Sequence, residues 1–340
     1  MKALRQTYQP QTVRAPELYG DRWFNSEPLS LRAAEGQNVL LFFWTYTSPG
    51  SLRMMHVIKE WFEEYSQLGL LCIGVHSPEF PFARQPRKVE EVLKQYDIRF
   101  PVVADNDRVI AQAYRIAELP SVVLVGSNGN VYDIVSSLSS FSRLERSLQY
   151  LLRQSGFFGE LPPLRSYGDA PDGRGRSMEL TTGYLHGSLG NTEGYSPELA
   201  AEYRDPQLYI EGKFYAHGIW RAERNAFHYD GPPNEGYLIC SSGGEDVDVL
   251  VGSEQRTTVA IRVDDASMLL EQMNTDVKRD AKGNTSIAVN EPQFFSVFRA
   301  SHREHHAVKF IPAQSGVTFY KFSLHSEPSA EDGSSLIRNN

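Results

Sequence analysis

The fold of the first half of the chain is decided by the stretch Leu41-Phe42-Phe43-Trp44-Thr45-Tyr46-Thr47-Ser48-Pro49-Gly50-Ser51. It begins as a continuous apolar run, which predicts a strand covered on both faces. Apolar residues then recur at helical spacing between Met54 and Phe62, which predicts a helix. Thr47 or Ser48 suits the capping position of that helix. The sequence therefore predicts strand, aromatic turn and helix, with Ser48 and Ser51 at the helix start.

Composition indicates a soluble, two-domain protein. The 340 residues are 41% hydrophobic and 22% charged, and the net charge is -8. That length suits two compact domains, and the negative charge without any basic run argues against a nucleic-acid partner. No apolar stretch reaches the length of a membrane span. Residues 1–8 carry no apolar signal region, so the chain as written is expected in the cytoplasm, or outside it if the N-terminus was trimmed.

Disulfides are not expected to stabilise this chain. Of its two cysteines, Cys72 lies inside the apolar run Leu70–Val75, and Cys240 directly follows the apolar residues Tyr237–Ile239. Free cysteine is among the most buried residue types, so both are predicted to be small core residues in different domains.

Strand and helix signals alternate through residues 1–155, which we predict to form the first domain. A second apolar strand covers Leu70–Val75, and Ser121–Val125 and Val131–Val135 flank a Gly/Asn turn as a hairpin. A helix over Phe141–Leu152 closes the domain. This order is typical of a thioredoxin-like α/β sandwich.

The second half has a different pattern. Residues 156–194 are rich in Pro, Gly, Ser and Arg and predict a linker. Apolar and polar residues alternate in Asp246–Val251 and Thr258–Val263. Residues 195–327 are therefore predicted to form an antiparallel β-sandwich of jelly-roll type, followed by a disordered tail at 328–340.

Three separated motifs resemble DipZ-type thioredoxin-like proteins, which are related to TlpA and alkyl hydroperoxide reductase. Trp44-Thr45-Tyr46 resembles the Trp-Thr-Tyr that precedes the family's Cys-x-x-Cys pair. The others are Gly74–Phe80 and Pro101–Asp107. In that family a jelly-roll domain resembling carbohydrate-binding modules follows the thioredoxin domain. The resemblance implies a thiol-disulfide oxidoreductase fold, with Ser48 and Ser51 at the positions of the two redox cysteines.

The resemblance implies one further residue of the site, Pro120, and the sequence offers the other candidates. Leu119-Pro120 precedes a strand where the family carries a cis-proline facing the active-site turn, and a trans proline at a strand start is the alternative. Glu79 is the candidate carboxylate for proton transfer. The alternative is that Glu79 is an ordinary solvated carboxylate in a loop. Trp44, Tyr46, Pro49 and Leu119 are the candidate binding residues. No cofactor is implied.

Two further candidates come from the second half. His302, His305 and His306 suggest a metal, but neighbouring strand residues point to opposite faces, so no metal site is predicted. Tyr209, Tyr215, Trp220 and Phe227 would form a platform for a glycan, although alternating aromatic residues are more typical of a sandwich core.

Two functions stay open. The first is a thiol-disulfide oxidoreductase of the DipZ and TlpA group that is redox-inactive as written, whether its serines are substituted or native. The second is a redox-inert binding protein that uses the thioredoxin groove and the jelly roll for a peptide, partner or glycan. A serine nucleophile fits poorly because no Gly-x-Ser-x-Gly elbow surrounds Ser48. Expected partners are protein thiols or disulfides, or a peptide segment at the groove.

Overall fold

The computed structural model describes residues 13–165, 167, 177–300 and 304–325. They belong to two compact units, one before and one after residues 168–176. The first unit mixes helices and strands, and the second consists almost entirely of strands. This confirms the predicted fold class of a thioredoxin-like domain followed by an antiparallel β domain.

The first unit contains six strands and four α-helices among its described residues. The strands are β1 Arg22–Phe24, β2 Asn38–Trp44, β3 Leu70–His76, β4 Val102–Ala104, β5 Ser121–Val125 and β6 Val131–Val135. The helices are α1 Pro49–Tyr65, α2 Pro86–Gln95, α3 Val109–Ala113 and α4 Phe141–Gln154.

One sheet organises these elements in the order β1-β4-β3-β2-β5-β6. The central strands β2, β3 and β4 run parallel, whereas β5 and β6 are antiparallel to their neighbours. All seven residues of β2 are buried, as a strand covered on both faces requires. The carboxyl ends of parallel strands meet at one edge of a sheet, so β2 and β3 bring their last residues together there.

Helix α1 packs against one face of this sheet. Its buried apolar side chains follow helical spacing and include Met54, Met55, Ile58, Trp61 and Tyr65. They join one core with Phe42 and Trp44 of β2, while Leu41 and Phe43 face a second core on the other side. Each large apolar side chain buried in this way contributes about 1.5–3 kcal/mol. The alternation along β2 thus fixes which face receives α1.

Among the described residues of the second unit, every pairing between named strands is antiparallel. Its strands are β7 Ser177–Thr181, β8 Ala200–Tyr203, β9 Phe214–Ala222, β10 Phe227–Tyr229, β11 Tyr237–Ser242, β12 Asp246–Ser253, β13 Thr257–Val263, β14 Ala266–Ser267, β15 Lys278–Arg279, β16 Thr285–Val289, β17 Gln293–Phe298, β18 His306–Pro312 and β19 Val317–His325.

Strand β9 belongs to both halves of the sheet in this unit. Its first residues pair with β11, and its last residues pair with β8 and β10. Gly218 lies between these parts with a φ of 94°, and a Cβ there would stand 2.8 Å from the Cα of Gly236. A side chain is therefore strained at this bend.

The core of the second unit follows the predicted alternation. Val247, Val249 and Val251 on β12 are buried in one cluster, together with Val259 and Ile261 on β13. The jelly-roll type of the sandwich stays a prediction.

The predicted linker at 156–194 divides between the two units. Phe157, Leu161 and Tyr167 pack against the core beneath α1 and α4. Strand β7 pairs with β19 in the second unit. The first unit thus includes packed residues beyond 155, and the second unit includes a paired strand before residue 195. The proposed domain limits keep the status of predictions, and the proposed tail at 328–340 lies outside the described residues.

Candidate functional site

We call the turn at the end of β2, residues 45–51, the slot. Ser48 is the N-cap of α1, with extended backbone angles of φ −133° and ψ 114°. Its Oγ accepts a hydrogen bond from the backbone N–H of Ser51 at 3.3 Å, and its carbonyl accepts one from Leu52 at 3.2 Å. Pro49 fills the first helical position, which needs no donor. These contacts are those of an ordinary helix cap.

The second serine of the slot is also engaged. The Oγ of Ser51 accepts the backbone N–H of Thr45 at 3.3 Å. The hydroxyls of Thr45 and Thr47 lie 2.8 Å apart and bond each other. Ser48 and Ser51 are both 0% exposed. The hydroxyls of Ser48 and Ser51 are therefore held inside the protein and stabilise the turn.

Pro120 lies against the slot. The Leu119–Pro120 peptide bond is cis. Phe43 pairs with Ser121 at the start of β5, which places Pro120 beside the end of β2. A Cβ built on Gly50 would lie 3.4 Å from the Cδ of Pro120, so the two residues are neighbours. Leu119 and Pro120 are half-buried, and Pro120 is the one that lies next to Gly50.

An aromatic stack supports the slot from below. His76, the last residue of β3, pairs with Trp44. The His76 ring stacks on Tyr46 at 5.6 Å with 8° between planes, and Trp44 meets it nearly edge-on at 4.9 Å. The Tyr46 hydroxyl donates to the carbonyl of Phe82 at 3.3 Å. The turn is thus tied to β3 and to the loop beyond it.

His76 is the functional-site residue that sequence reasoning missed. It is fully buried, and neither ring nitrogen has a hydrogen-bond partner among the described residues. Burial lowers the pKa of His76 to about 3, so the imidazole is neutral at ordinary pH. Its position was visible in the quoted motif, but only the register of β2 against β3 brings it to Trp44.

The proposed binding residues occupy two levels. Tyr46 and Leu119 are half-buried at the surface. Trp44 and Pro49 are buried. Trp44 is the last residue of a strand covered on both faces and lies in the core beneath the slot. The binding role of all four residues stays a prediction.

The loop that carries Glu79 begins at a fixed point beside the slot. The backbone N–H of Ser77 donates to the carbonyl of Trp44 at 2.9 Å, and its hydroxyl donates to Asp105 at 2.9 Å. Asp105 also accepts the N–H groups of Ile110 and Ala111, each at 2.9 Å, at the start of α3. Glu79 itself is half-buried.

Neither cysteine of the chain is available for exchange chemistry. Cys72 on β3 and Cys240 on β11 are free and buried, one in each unit. Burial raises the pKa of the Cys72 thiol far above its usual range and that of Cys240 to about 12. Thiolate is the reactive species, so burial disfavours the reactive form of both thiols.

The candidates of the second unit are explained by packing. Tyr215, Trp220 and Phe227 are buried, which fits a sandwich core and removes them from any glycan platform. Tyr209 is half-buried and donates its hydroxyl to Asp205 at 2.7 Å. His306 contacts Asp264 at 2.8 Å, and His302 lies outside the described residues. Within the described ranges, no three metal-ligating side chains come together.

Comparison with known proteins extends this description. Residues 13–134 match the AhpC/TSA family, and residues 180–324 match a family described as the thioredoxin-like C-terminal domain. Protein DipZ of Mycobacterium tuberculosis is 26% identical over 254 residues, which cover 72% of this chain and 36% of DipZ. The chain thus spans about a third of that relative's length.

Two other matches concern the first unit alone. The thiol-disulfide oxidoreductase ResA of Halalkalibacterium halodurans is 31% identical over 109 residues, 32% of this chain and 58% of ResA. A solved thiol-disulfide isomerase from Corynebacterium glutamicum is 23% identical, with a TM-score of 0.38, covering 41% of this chain and 96% of that structure.

Fold, slot and family matches together define the class: a thioredoxin-like protein with a second, β-rich domain. Within that class, the two family matches and the similarity to DipZ and ResA are those of a redoxin of the DipZ and TlpA type. Among the described residues, no helix is both long and apolar enough to cross a bilayer. Cellular location stays a prediction.

Proposed function

We propose that the chain is a redox-silent member of the thiol-disulfide oxidoreductase group, and that its slot binds an extended polypeptide of a partner protein. The observation that carries this proposal is the combination of an intact slot with absent thiols. The helix cap, the neighbouring Pro120 and the supporting stack are present, but the side chains at positions 48 and 51 are buried hydroxyls.

The chemistry of serine supports the redox-silent part. Disulfide exchange requires a thiolate that attacks a sulfur and a second thiol that resolves the mixed disulfide. A hydroxyl at either position supplies neither. Hydrolysis by Ser48 is a weaker reading, because its Oγ accepts the Ser51 N–H at the cap and is 0% exposed.

The arrangement around Pro120 supports the binding part. Leu119, Pro120 and Tyr46 are half-buried, and Gly50, next to Pro120, has no side chain to block an approaching backbone. The family leads us to expect partner proteins that carry thiols or disulfides. Without thiols at positions 48 and 51, the slot can bind such a partner but cannot carry out thiol–disulfide exchange.

Titration of alkylated insulin B chain into the full chain tests the binding, followed by calorimetry or by intrinsic fluorescence. Leu119→Glu places a charge at the edge of the slot and is expected to weaken binding at least about tenfold, which equals about 1.4 kcal/mol. Tyr150→Glu, on the exposed face of α4, is the matched control. Equal affinities of the two variants would show that the slot does not bind the peptide.

A further inference from the structure

A short irregular segment crosses helices α1 and α4 after the last helix of the first unit. We call it the strap: residues 161–165 together with Tyr167. Leu161 and Tyr167 pack against the apolar core of this unit. The strap has no helix or strand of its own, so side-chain and backbone contacts alone hold it in place.

A buried carboxylate anchors the strap from below. Glu145 on α4 is 0% exposed. One carboxylate oxygen accepts the hydroxyl of Tyr65 at 2.8 Å, and the other accepts the backbone N–H of Arg165 at 3.0 Å. Buried charge is costly unless it is hydrogen-bonded, so release of the strap removes one of the bonds that stabilise Glu145.

A bridging amide adds a second anchor. The Nε2 of Gln149 donates to the hydroxyl of Tyr65 at 2.8 Å and to the carbonyl of Pro162 at 2.8 Å. Tyr65 is the last residue of α1, so the same small network joins the strap, α4 and the end of α1.

Two side chains of the strap reach back onto α1. The Arg165 guanidinium contacts the carboxylates of Glu60 and Glu64. The Nε1 of Trp61 donates to the Tyr167 hydroxyl at 2.5 Å, and the two rings meet edge-on. Burial raises the pKa of Tyr167 to about 12, which keeps that hydroxyl uncharged.

We propose that the strap is a releasable clamp on helix α1 that sets how readily the helix, and the slot at its other end, opens locally. Arg165 is about one-third exposed and Glu60 about one-half, so water competes for the outer contacts. The helix of 17 residues is a rigid element about 25 Å long that joins the clamped end to the capped end. In the chain, the strap is followed by residues 168–176 and then by β7 of the second unit.

Amide hydrogen exchange on the full chain tests the clamp. The double variant Arg165→Ala, Tyr167→Phe is expected to exchange at least about tenfold faster in peptides spanning 52–65, because local opening sets the exchange rate of protected amides. Peptides from β19 serve as the internal reference for folding. Arg143→Ala is the matched control. Arg143 is on α4 and forms an ion pair with Asp133 of β6, so its removal is expected to leave exchange in α1 unchanged.

Tyr167→Phe alone keeps the ring packing and removes only the hydrogen bonds of the hydroxyl, with Trp61 and with Glu145, so it is informative even if the double variant unfolds. We expect about threefold faster exchange in the same peptides. Faster exchange confined to 157–167, with α1 unchanged in both variants, would overturn the proposal and make the strap a passive tail.

Discussion

The two ends of helix α1 are held by opposite kinds of contact. At its first turn, Ser48 and Ser51 exchange hydrogen bonds with residues no more than six positions away. At its last turns, Trp61 and Tyr65 bond to residues 106 and 80 positions away. The hydrogen bonds that cap the first end come from local sequence, and those at the second end form only when distant parts of the chain arrive. This difference separates what a mutation at each end is expected to change.

The largest expected effect is a gain of chemistry at the local end. The double variant Ser48→Cys, Ser51→Cys is expected to form one disulfide on mild oxidation and to reduce insulin, while the unmodified chain stays at background. The helix N-terminus stabilises a thiolate, and the neighbouring Pro120 is already in place. Thiol titration with dithionitrobenzoate before and after oxidation checks it.

The single variant Ser48→Cys is the control, since it offers one reactive thiol without a resolving partner. Cys72 and Cys240 should not titrate in the folded protein because both are buried. Two thiols that stay free in the double variant after oxidation would show that positions 48 and 51 are not arranged as a redox pair.

The sequence predicted the local end and not the distant one for physical reasons. Strand, turn and cap at 38–51 follow from an apolar run and capping residues that act within a few positions. The alternation of Val247, Val249 and Val251 likewise predicted buried strand positions. His76 stayed hidden because its approach to Trp44 depends on strand register. A linker was predicted to include residues 156–167 because their apolar residues do not recur at a regular spacing. Such a segment still packs where single apolar side chains contact a core, as Phe157, Leu161 and Tyr167 do.

The next effect breaks the distant end. The fragment 1–155 ends before the strap, whereas the fragment 1–167 includes it. We expect the longer fragment to be more stable by about 2–4 kcal/mol, because the shorter one leaves Glu145 without the Arg165 N–H and exposes Trp61. Urea unfolding of both fragments measures the difference.

Arg165→Ala in the longer fragment is the companion variant. It removes the contacts to Glu60 and Glu64 but keeps the backbone N–H that Glu145 accepts, so it should lose only part of the difference. Equal unfolding midpoints for 1–155 and 1–167 would return the domain limit to residue 155.

A smaller effect concerns the support beneath the local end. The folded-state pKa of His76 is about 3, below the ordinary value of 6.5, because the ring is buried. Below pH 6.5 the unfolded chain therefore binds a proton that the folded chain does not, and stability falls as pH falls from 6.5 toward 3. At pH 5 this amounts to about 2 kcal/mol relative to pH 7.

Denaturant unfolding at several pH values checks this window. His76→Phe should flatten the dependence of unfolding free energy on pH between 5 and 7, whatever its own cost at pH 7. His56→Asn, at an exposed position on α1, is the matched control and should keep the wild-type slope. The same slope in all three proteins would rule out His76 as the source.

The smallest effect separates capping from chemistry at Ser48. Ser48→Ala removes the oxygen that accepts the Ser51 N–H and should cost about 1 kcal/mol, whereas Ser48→Gly should cost only a few tenths. Glycine is well tolerated at N-cap positions, whereas alanine is not. Thermal or urea unfolding of the two variants resolves this difference. A loss of more than about 3 kcal/mol of unfolding free energy in both variants would mean that the Ser48 hydroxyl stabilises more of the slot than the first turn of the helix. The local end of α1 would then depend on buried contacts as strongly as the strapped end does.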